Sequence, residues 1–299
     1  MHNRRNMAER AFDVTYASAD LEIAAADVLF PGQAEVRLKL INHAPAALML
    51  SSAILYWFIL VPHCFPALRP STALAKARLS QMRDVHNFAL FLFSAVCCIS
   101  TAVHLWRDGQ LFVAGSWVAV HCRSVEGTWL RPMSILFLLS KMWEWGDTLF
   151  LVVLGSRPPE FLHLYHHATT FWLFCFVVNQ PGPEKFGLLL NGGVHMLMYS
   201  HYWRSWPKPL VPFITIAQIA QLAFVTYSWS VTSAVCPQAR FARAASEHPL
   251  EFATVYAMVP VYLWFFLVFF AKRFLGIGRS KKLDGKPHDP ITKKGRKVA

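Results

Sequence analysis

Three histidines lie within five residues of one another in an otherwise apolar stretch, FLHLYHHATT. On an α-helix the spacing of His163, His166 and His167 places all three on one face, so that their imidazoles converge. Imidazole acts as a nucleophile and a proton carrier near neutral pH, and it also binds metal ions. The spacing therefore predicts either a reactive face or a metal site.

Charged side chains occur within a second apolar stretch, residues 132–154. Lys141, Glu144 and Asp147 stand three residues apart, which predicts a single stripe along a helix. A charge at membrane depth costs roughly 2.5 to 3.5 kcal/mol on insertion scales, so three of them need partners. These residues alone leave both an intramembrane ion-pair network and an active site open.

Two later apolar stretches carry polar stripes as well. Asn191 and His195 are four residues apart and Tyr199 continues their face, while Gly192 and Gly193 would let another helix or a substrate approach closely. Small polar residues that glue helices together are the alternative interpretation of such stripes. The last stripe consists of Thr215, Gln218 and Gln221.

The composition indicates the elements that must position these side chains. Of the 299 residues, 55% are apolar and only 15% are charged, which is typical of a polytopic membrane protein. We predict an all-α fold with about seven transmembrane helices in one domain, residues 46–275, between a polar arm, 1–45, and a basic tail, 276–299. The seven stretches approach the roughly 20 residues needed to cross a bilayer: 46–65, 87–106, 132–154, 161–179, 184–203, 210–235 and 251–275.

The basic residues predict the orientation. Residues 272–297 contain ten Lys or Arg and two acidic residues, directly after an apolar stretch. Such a tail marks the cytosolic side and binds anionic lipid headgroups, and it makes nucleic acid a poor explanation of the net charge of +12. We therefore expect a cytosolic C-terminus, a lumenal N-terminus, and all four polar stripes in the cytosolic half of the membrane. The six cysteines include no C-x-x-C pair, so we predict neither a disulfide framework nor a zinc module.

Four motifs follow one another along the chain: K-x-x-E-x-x-D-T from Lys141 to Thr148, H-x-x-H-H from His163 to His167, N-x-x-x-H-x-x-M-Y from Asn191 to Tyr199, and T-x-x-Q-x-x-Q from Thr215 to Gln221. In this order they resemble the ELO-type very-long-chain fatty acid elongases, membrane 3-ketoacyl-CoA synthases of the endoplasmic reticulum. The resemblance covers about residues 45–275. It departs at His201, which stands where the family usually has the first of two tyrosines.

The resemblance implies a fold and a reaction. Six of the seven spans would surround a closed-ended tunnel for the acyl chain. The enzyme, a 3-oxoacyl-CoA synthase, would condense an acyl-CoA with malonyl-CoA and release CO₂ and CoA, with no metal or other cofactor. Its expected partners are membrane lipid and the ketoacyl-CoA reductase, hydroxyacyl-CoA dehydratase and enoyl-CoA reductase of the elongation cycle, with a homodimer left open. Residence in the endoplasmic reticulum fits the dilysine-like end of the tail.

The resemblance also implies roles for the site residues. His166 would be the nucleophile, with His163 and His167 fixing its tautomer or shuttling protons. The other assignments are His195 and Asn191 for polarising the thioester carbonyl and stabilising the enolate, Glu144 and Asp147 for orienting imidazoles, Lys141 for balancing their charge, and Tyr199, Thr215, Gln218, Gln221 and Arg204 for binding substrate. Cys175 is a weaker nucleophile candidate, because it lies about 13 Å along the helix from His166.

Two other classes remain open from the residues. A membrane di-iron desaturase or hydroxylase also carries H-x-x-H-H, but such enzymes use several boxes and this sequence has one. A proton-coupled transporter would explain intramembrane charges, but not four ordered motifs. Pro158, Pro159 and Glu160 precede Phe161, where polyunsaturated-chain elongases often have Gln-Val-Thr, so the sequence favours saturated or monounsaturated chains.

Overall fold

The computed structural model describes residues 55–110, 116–125, 127–155, 159–178, 181–236 and 249–277. The predicted arm, the first nine residues of the first predicted span and the basic tail from residue 278 lie outside these ranges. The side chain of Cys175, the weaker nucleophile candidate, lies outside the described part as well. Within the described ranges every regular element is helical and no strand occurs.

The described residues form ten α-helices: α1 (Phe65–Ala67), α2 (Ala73–Arg107), α3 (Ser116–Cys122), α4 (Arg131–Trp143), α5 (Trp145–Leu154), α6 (Phe161–Val177), α7 (Pro181–Phe186), α8 (Gly192–Trp203), α9 (Val211–Val235) and α10 (Pro249–Phe274). Two π-helical segments, Leu55–Cys64 and Gly187–Asn191, and a 3₁₀ turn, Lys208–Leu210, adjoin them. Apolar side chains of α4, α6, α9 and α10 pack into one core, which includes Phe137, Phe174, Trp229 and Tyr262.

Three helical segments are long and apolar enough to cross a membrane by length and composition: Ala73–Arg107, Lys208–Thr232 and Tyr256–Phe274. Helices also cover the described part of the other four apolar stretches. The chain is thus an all-α protein with helices suited to a membrane, as its composition predicts. The number of seven spans and the closed-ended tunnel stay predictions.

Helix α2 begins at Ala73, fourteen residues before the predicted start of its span. The hydroxyl of Thr72 accepts a hydrogen bond from the Ala75 N–H at 3.1 Å, which satisfies a donor of the first turn. The added turns are amphipathic and carry exposed basic residues, so an apolar window does not detect them. They bring a polar residue, His86, to the site described below.

Helices α2 and α8 pack closely at Gly192. A Cβ atom there would lie 3.2 Å from both the carbonyl oxygen of Ser94 and the amide nitrogen of Cys98. Any larger side chain would push the two backbones apart. The sequence prediction that this glycine permits close helix approach is confirmed, and the contact fixes the position of the polar stripe on α8.

A second group of polar side chains, which we call the distal cluster, lies at the opposite end of the bundle from the histidines. The Lys185 ammonium donates to Gln110 Oε1 at 2.5 Å and to the Arg123 carbonyl at 2.7 Å. Glu184 accepts hydrogen bonds from Ser134 and Arg131.

Next to these groups, His121 Nδ1 lies 2.7 Å from the Thr232 hydroxyl. Burial lowers the pKa of His121 to about 4, and the positive charge of Lys185 acts in the same direction.

The structure contains one disulfide, which the prediction of no disulfide framework did not foresee. Cys122 at the end of α3 and Cys236 after α9 are bonded, with their Cα atoms 5.6 Å apart. The partners are 114 residues apart in sequence, so no local spacing signals the pair. The bond ties two connecting segments together beside the distal cluster.

Candidate active site

The three histidines of α6 lie side by side. The ring centroids of His163 and His167 are 4.3 Å apart, and those of His166 and His167 are 5.5 Å apart. His167 is buried, whereas His163 and His166 are half-buried. Three neighbouring imidazoles of graded exposure thus form the face that the spacing predicts.

His166 is the histidine whose ring is available for chemistry. Within the described part of the chain, neither of its ring nitrogens has a hydrogen-bond partner, while its backbone carbonyl accepts from the Thr170 hydroxyl. Its ring lies 5.3 Å from that of Tyr262, measured between centroids. The charges of Glu144 and Lys141 act on it across the site. A neutral imidazole in this position has a lone pair to offer to an electrophile.

A buried ammonium, that of Lys141, connects two of the polar stripes. Its Nζ lies 2.7 Å from Glu144 Oε1 and 2.9 Å from Asn191 Oδ1, and it sits 4.3 Å from the centre of the Phe137 ring. Lys141 is 1% exposed and Glu144 is 3% exposed. Because a carboxylate, an amide oxygen and an aromatic face surround the ammonium, its burial is compensated.

His195 approaches the same carboxylate. Its Nδ1 lies 3.3 Å from Glu144 Oε1, and the two atoms do not form a hydrogen bond. Among the described residues, His195 Nδ1 and Glu144 Oε2 are buried polar atoms without a hydrogen-bond partner. Leaving a buried polar atom unpaired costs about 1 to 3 kcal/mol, and such atoms mark functional sites. The two atoms therefore retain unused hydrogen-bonding capacity at the centre of the site.

Asp147 has different partners from those the stripe predicts. Its Oδ1 lies 2.8 Å from His86 Nε2, and its Oδ2 accepts a hydrogen bond from the Tyr199 hydroxyl at 2.7 Å. Helix α4 ends at Trp143 and α5 begins at Trp145, so Glu144 lies between the two helices while Asp147 lies on α5, and the two carboxylates have different partners. The prediction that Asp147 orients an imidazole stays a prediction, and the imidazole that it contacts is that of His86 on α2.

Sequence reasoning missed His86 and Tyr56. His86 is buried at 8% exposure, and its ring fills the space beside Gly146, where a Cβ atom would come within 2.7 Å of it. Tyr56 donates a hydrogen bond to Thr148 Oγ1 at 2.5 Å, and Thr148 Oγ1 lies 2.8 Å from His163 Nε2. A polar residue inside an apolar helix was the signal available for His86. No local pattern marks Tyr56.

The remaining predicted site residues lie on α9 and at the end of α8. Thr215 is buried on α9, and Gln218 Nε2 lies 3.9 Å from Met198 Sδ. Gln221 is half-buried, and neither it nor Thr215 forms a side-chain hydrogen bond in the part of the chain that the structure describes.

Arg204 is exposed and stacks on Trp203 at 4.7 Å, beside an open cavity of about 270 Å³. His201 accepts from the Trp206 N–H and so ends α8.

Within the described residues, no group of three or more His, Cys, Asp or Glu side chains is arranged to hold a metal ion. The prediction of a metal-free enzyme remains a prediction. The arrangement suits two chemical roles. The imidazole of His166 can act as a nucleophile, and the group of Lys141, Glu144 and His195 can stabilise developing charge.

The chain is similar to proteins of one known family. The family model described as "ELO: GNS1/SUR4 family" matches residues 41–282. Long chain fatty acid elongase 1 of Caenorhabditis elegans is 33% identical over 215 residues, which cover 68% of this chain and 72% of that protein. Very long chain fatty acid elongase 3 of Mus musculus is 32% identical over 193 residues, 61% of this chain and 69% of that protein.

The human relative matches over a shorter length. Very long chain fatty acid elongase 3 of Homo sapiens is 32% identical over 158 residues, which cover 48% of this chain and 57% of that protein. The chain thus spans little more than half the length of this human protein. The match covers the whole of neither protein.

Proposed function

Because the chain belongs to the ELO (GNS1/SUR4) family, we propose that it is a fatty acid elongase that condenses a long-chain acyl-CoA with malonyl-CoA. The products are a 3-ketoacyl-CoA, CO₂ and CoA. The observation that carries the proposal is the free, half-buried imidazole of His166 beside the buried group of Lys141, Glu144 and His195. The names of the relatives, all fatty acid elongases, support the same reaction class.

The first half-reaction transfers the acyl group to His166. A ring nitrogen attacks the thioester carbonyl carbon, a C–N bond forms, and the C–S bond breaks. The thiolate of CoA leaves and takes the proton that the other ring nitrogen releases. His163 and His167 hold the ring and relay that proton, and the apolar surroundings keep water from the acyl-imidazole.

The second half-reaction forms the new carbon–carbon bond. Malonyl-CoA loses CO₂, and the electron pair of the broken C–C bond becomes an enolate. His195 and Asn191, which approach Glu144 and Lys141, stabilise the negative charge of this enolate. The enolate carbon attacks the acyl carbonyl, the C–N bond breaks, and the departing imidazolate of His166 takes up one proton from solvent through His163 or His167, which regenerates the neutral ring. No metal or redox cofactor enters either step of this proposal.

The proposed location is the endoplasmic reticulum membrane with the C-terminus in the cytosol. Structural disulfides persist in the oxidising lumen and are rare in the cytosol, so the Cys122–Cys236 bond supports a lumenal distal cluster. The histidines, at the opposite end, then face cytosolic acyl-CoA and malonyl-CoA. The three other elongation-cycle enzymes, the ketoacyl-CoA reductase, hydroxyacyl-CoA dehydratase and enoyl-CoA reductase, are the proposed partners. Protease protection of a C-terminal tag in sealed microsomes would contradict this orientation.

The test of the function is an acyl-CoA panel with labelled malonyl-CoA and purified protein. We expect labelled 3-ketoacyl-CoA, with saturated and monounsaturated chains preferred over polyunsaturated ones. A membrane di-iron oxygenase is the second candidate, because it shares the H-x-x-H-H pattern. Stoichiometric iron, lost on chelation together with activity, would favour that candidate and overturn the condensation proposal.

A further inference from the structure

Tyr56 reaches the candidate site from the first helical segment that the structure describes, Leu55–Cys64. It is fully buried, and its ring packs on that of Trp145 at 4.8 Å between centroids. Together with Val61, Val152 and Ala168 it forms a small apolar cluster separate from the main core. This segment therefore contacts α5 and α6 next to the histidines rather than only covering the bundle.

The hydrogen bonds of this contact indicate which ring nitrogen of His163 carries the proton. Tyr56 donates its proton to Thr148 Oγ1 at 2.5 Å. A threonine hydroxyl has one proton of its own, and His163 Nε2, 2.8 Å away, is the acceptor that the described residues offer to it. His163 Nε2 is then the unprotonated nitrogen, and the ring carries its proton on Nδ1. If His163 Nε2–H donated to Thr148 instead, Thr148 would accept from both neighbours and its own proton would have no acceptor among these three groups.

We propose that Tyr56 is a positioning residue that acts through Thr148 to hold His163 as a neutral Nδ1–H tautomer. The inference rests on the proposed function, because it assigns a role within the same histidine face. A neutral His163 places no positive charge beside His167, whose ring lies 4.3 Å from it. His166, next in the row, then keeps the lone pair that attacks the thioester.

Tyr56→Phe removes the donor and keeps the ring on Trp145. The Thr148 hydroxyl can then accept a proton from His163, so the tautomer is no longer fixed. We expect kcat to fall about tenfold and KM to stay within about twofold, because the lost hydrogen bond acts on the chemical step. Tyr227→Phe, at an exposed tyrosine on α9, is the matched control and should retain wild-type kinetics.

Thr148 supplies a second, independent arm. Thr148→Ser keeps the hydroxyl and should retain most of the turnover, whereas the isosteric Thr148→Val should lower kcat as Tyr56→Phe does. Serine lacks the methyl group and valine keeps the shape of threonine, so a loss caused by packing alone would lower the turnover of the serine variant more than that of the valine variant. Equal turnover of the serine and valine variants would overturn the proposal.

The tautomer can be read without measuring activity. Nitrogen-15 spectra of ring-labelled histidine, with His163→Gln for assignment, should show His163 protonated on Nδ1 in the wild type. Tyr56→Phe should introduce the Nε2-protonated form. If wild-type His163 carries its proton on Nε2, the inference is wrong whatever the kinetics. If the wild type forms no malonyl-dependent product yet shows the Nδ1 tautomer, the function proposal fails while the hydrogen-bond chain stands.

Discussion

Glu144→Gln tests the buried Lys141–Glu144 pair most sharply. The change preserves the shape of the side chain but removes the negative charge 2.7 Å from Lys141 Nζ. Lys141 is 1% exposed, so water cannot replace the lost carboxylate. Removing one partner of a buried ion pair costs about 3 to 5 kcal/mol. We expect this loss in the free energy of unfolding, measured by denaturant titration in detergent micelles.

An exposed pair of the same kind is the matched control. Arg83 Nη2 lies 2.9 Å from Asp84 Oδ1, close to the distance in the buried pair, but both side chains are 41% exposed. Asp84→Asn should therefore change the free energy of unfolding by only about 0 to 1 kcal/mol. The contrast between the two variants isolates the effect of burial from the effect of distance.

A double variant decides whether the uncompensated charge is the cause. Lys141→Met in the Glu144→Gln background removes the unpaired ammonium, so much of the lost stability should return. Turnover per folded molecule should stay low, because His195 has lost the carboxylate 3.3 Å from its Nδ1. A double variant no more stable than Glu144→Gln alone would refute the argument from uncompensated charge. Wild-type turnover would remove Glu144 from the mechanism.

Three further predictions concern other parts of the molecule. Cys122→Ser opens a loop of 114 residues and should lower the free energy of unfolding by about 4 to 5 kcal/mol, whereas Cys64→Ser, at an exposed free cysteine, should not. Because the pKa of His121 is lowered from 6.5 to about 4, the unfolded chain binds a proton that the folded chain does not, and stability measured against pH should fall from pH 6.5 towards 4. His86→Phe removes the contact with Asp147 and should lower kcat. His86→Gln, whose amide can still donate a hydrogen bond to Asp147, should retain a higher kcat than His86→Phe.

Helical spacing predicts the local part of the site. The imidazole face of α6, the Lys141–Glu144 contact and the close approach at Gly192 all follow from separations of three or four residues or from a missing side chain. The partners that spacing cannot predict are distant in sequence. Tyr56 and Thr148 are 92 residues apart, and Cys122 and Cys236 are 114 apart, so the folded bundle alone brings them together.

The two carboxylates show how a tertiary contact adds to a local pattern. Asp147 lies on the first turn of α5, and Glu144 lies between α4 and α5. Two residues later, Gly146 leaves room for the ring of His86, which lies on another helix and binds Asp147. A tertiary contact therefore decides where Asp147 points.

The central claim is that His166 carries the acyl group between two half-reactions. Incubating the purified protein with acyl-CoA alone should release about one equivalent of CoA and add the acyl mass to the peptide that contains residues 161–170. His166→Ala should abolish both signals, and His63→Ala, at an exposed histidine, should leave them unchanged. If CoA appears only when malonyl-CoA is present and no histidine gains the acyl mass, the two substrates react directly in a ternary complex and the claim is wrong.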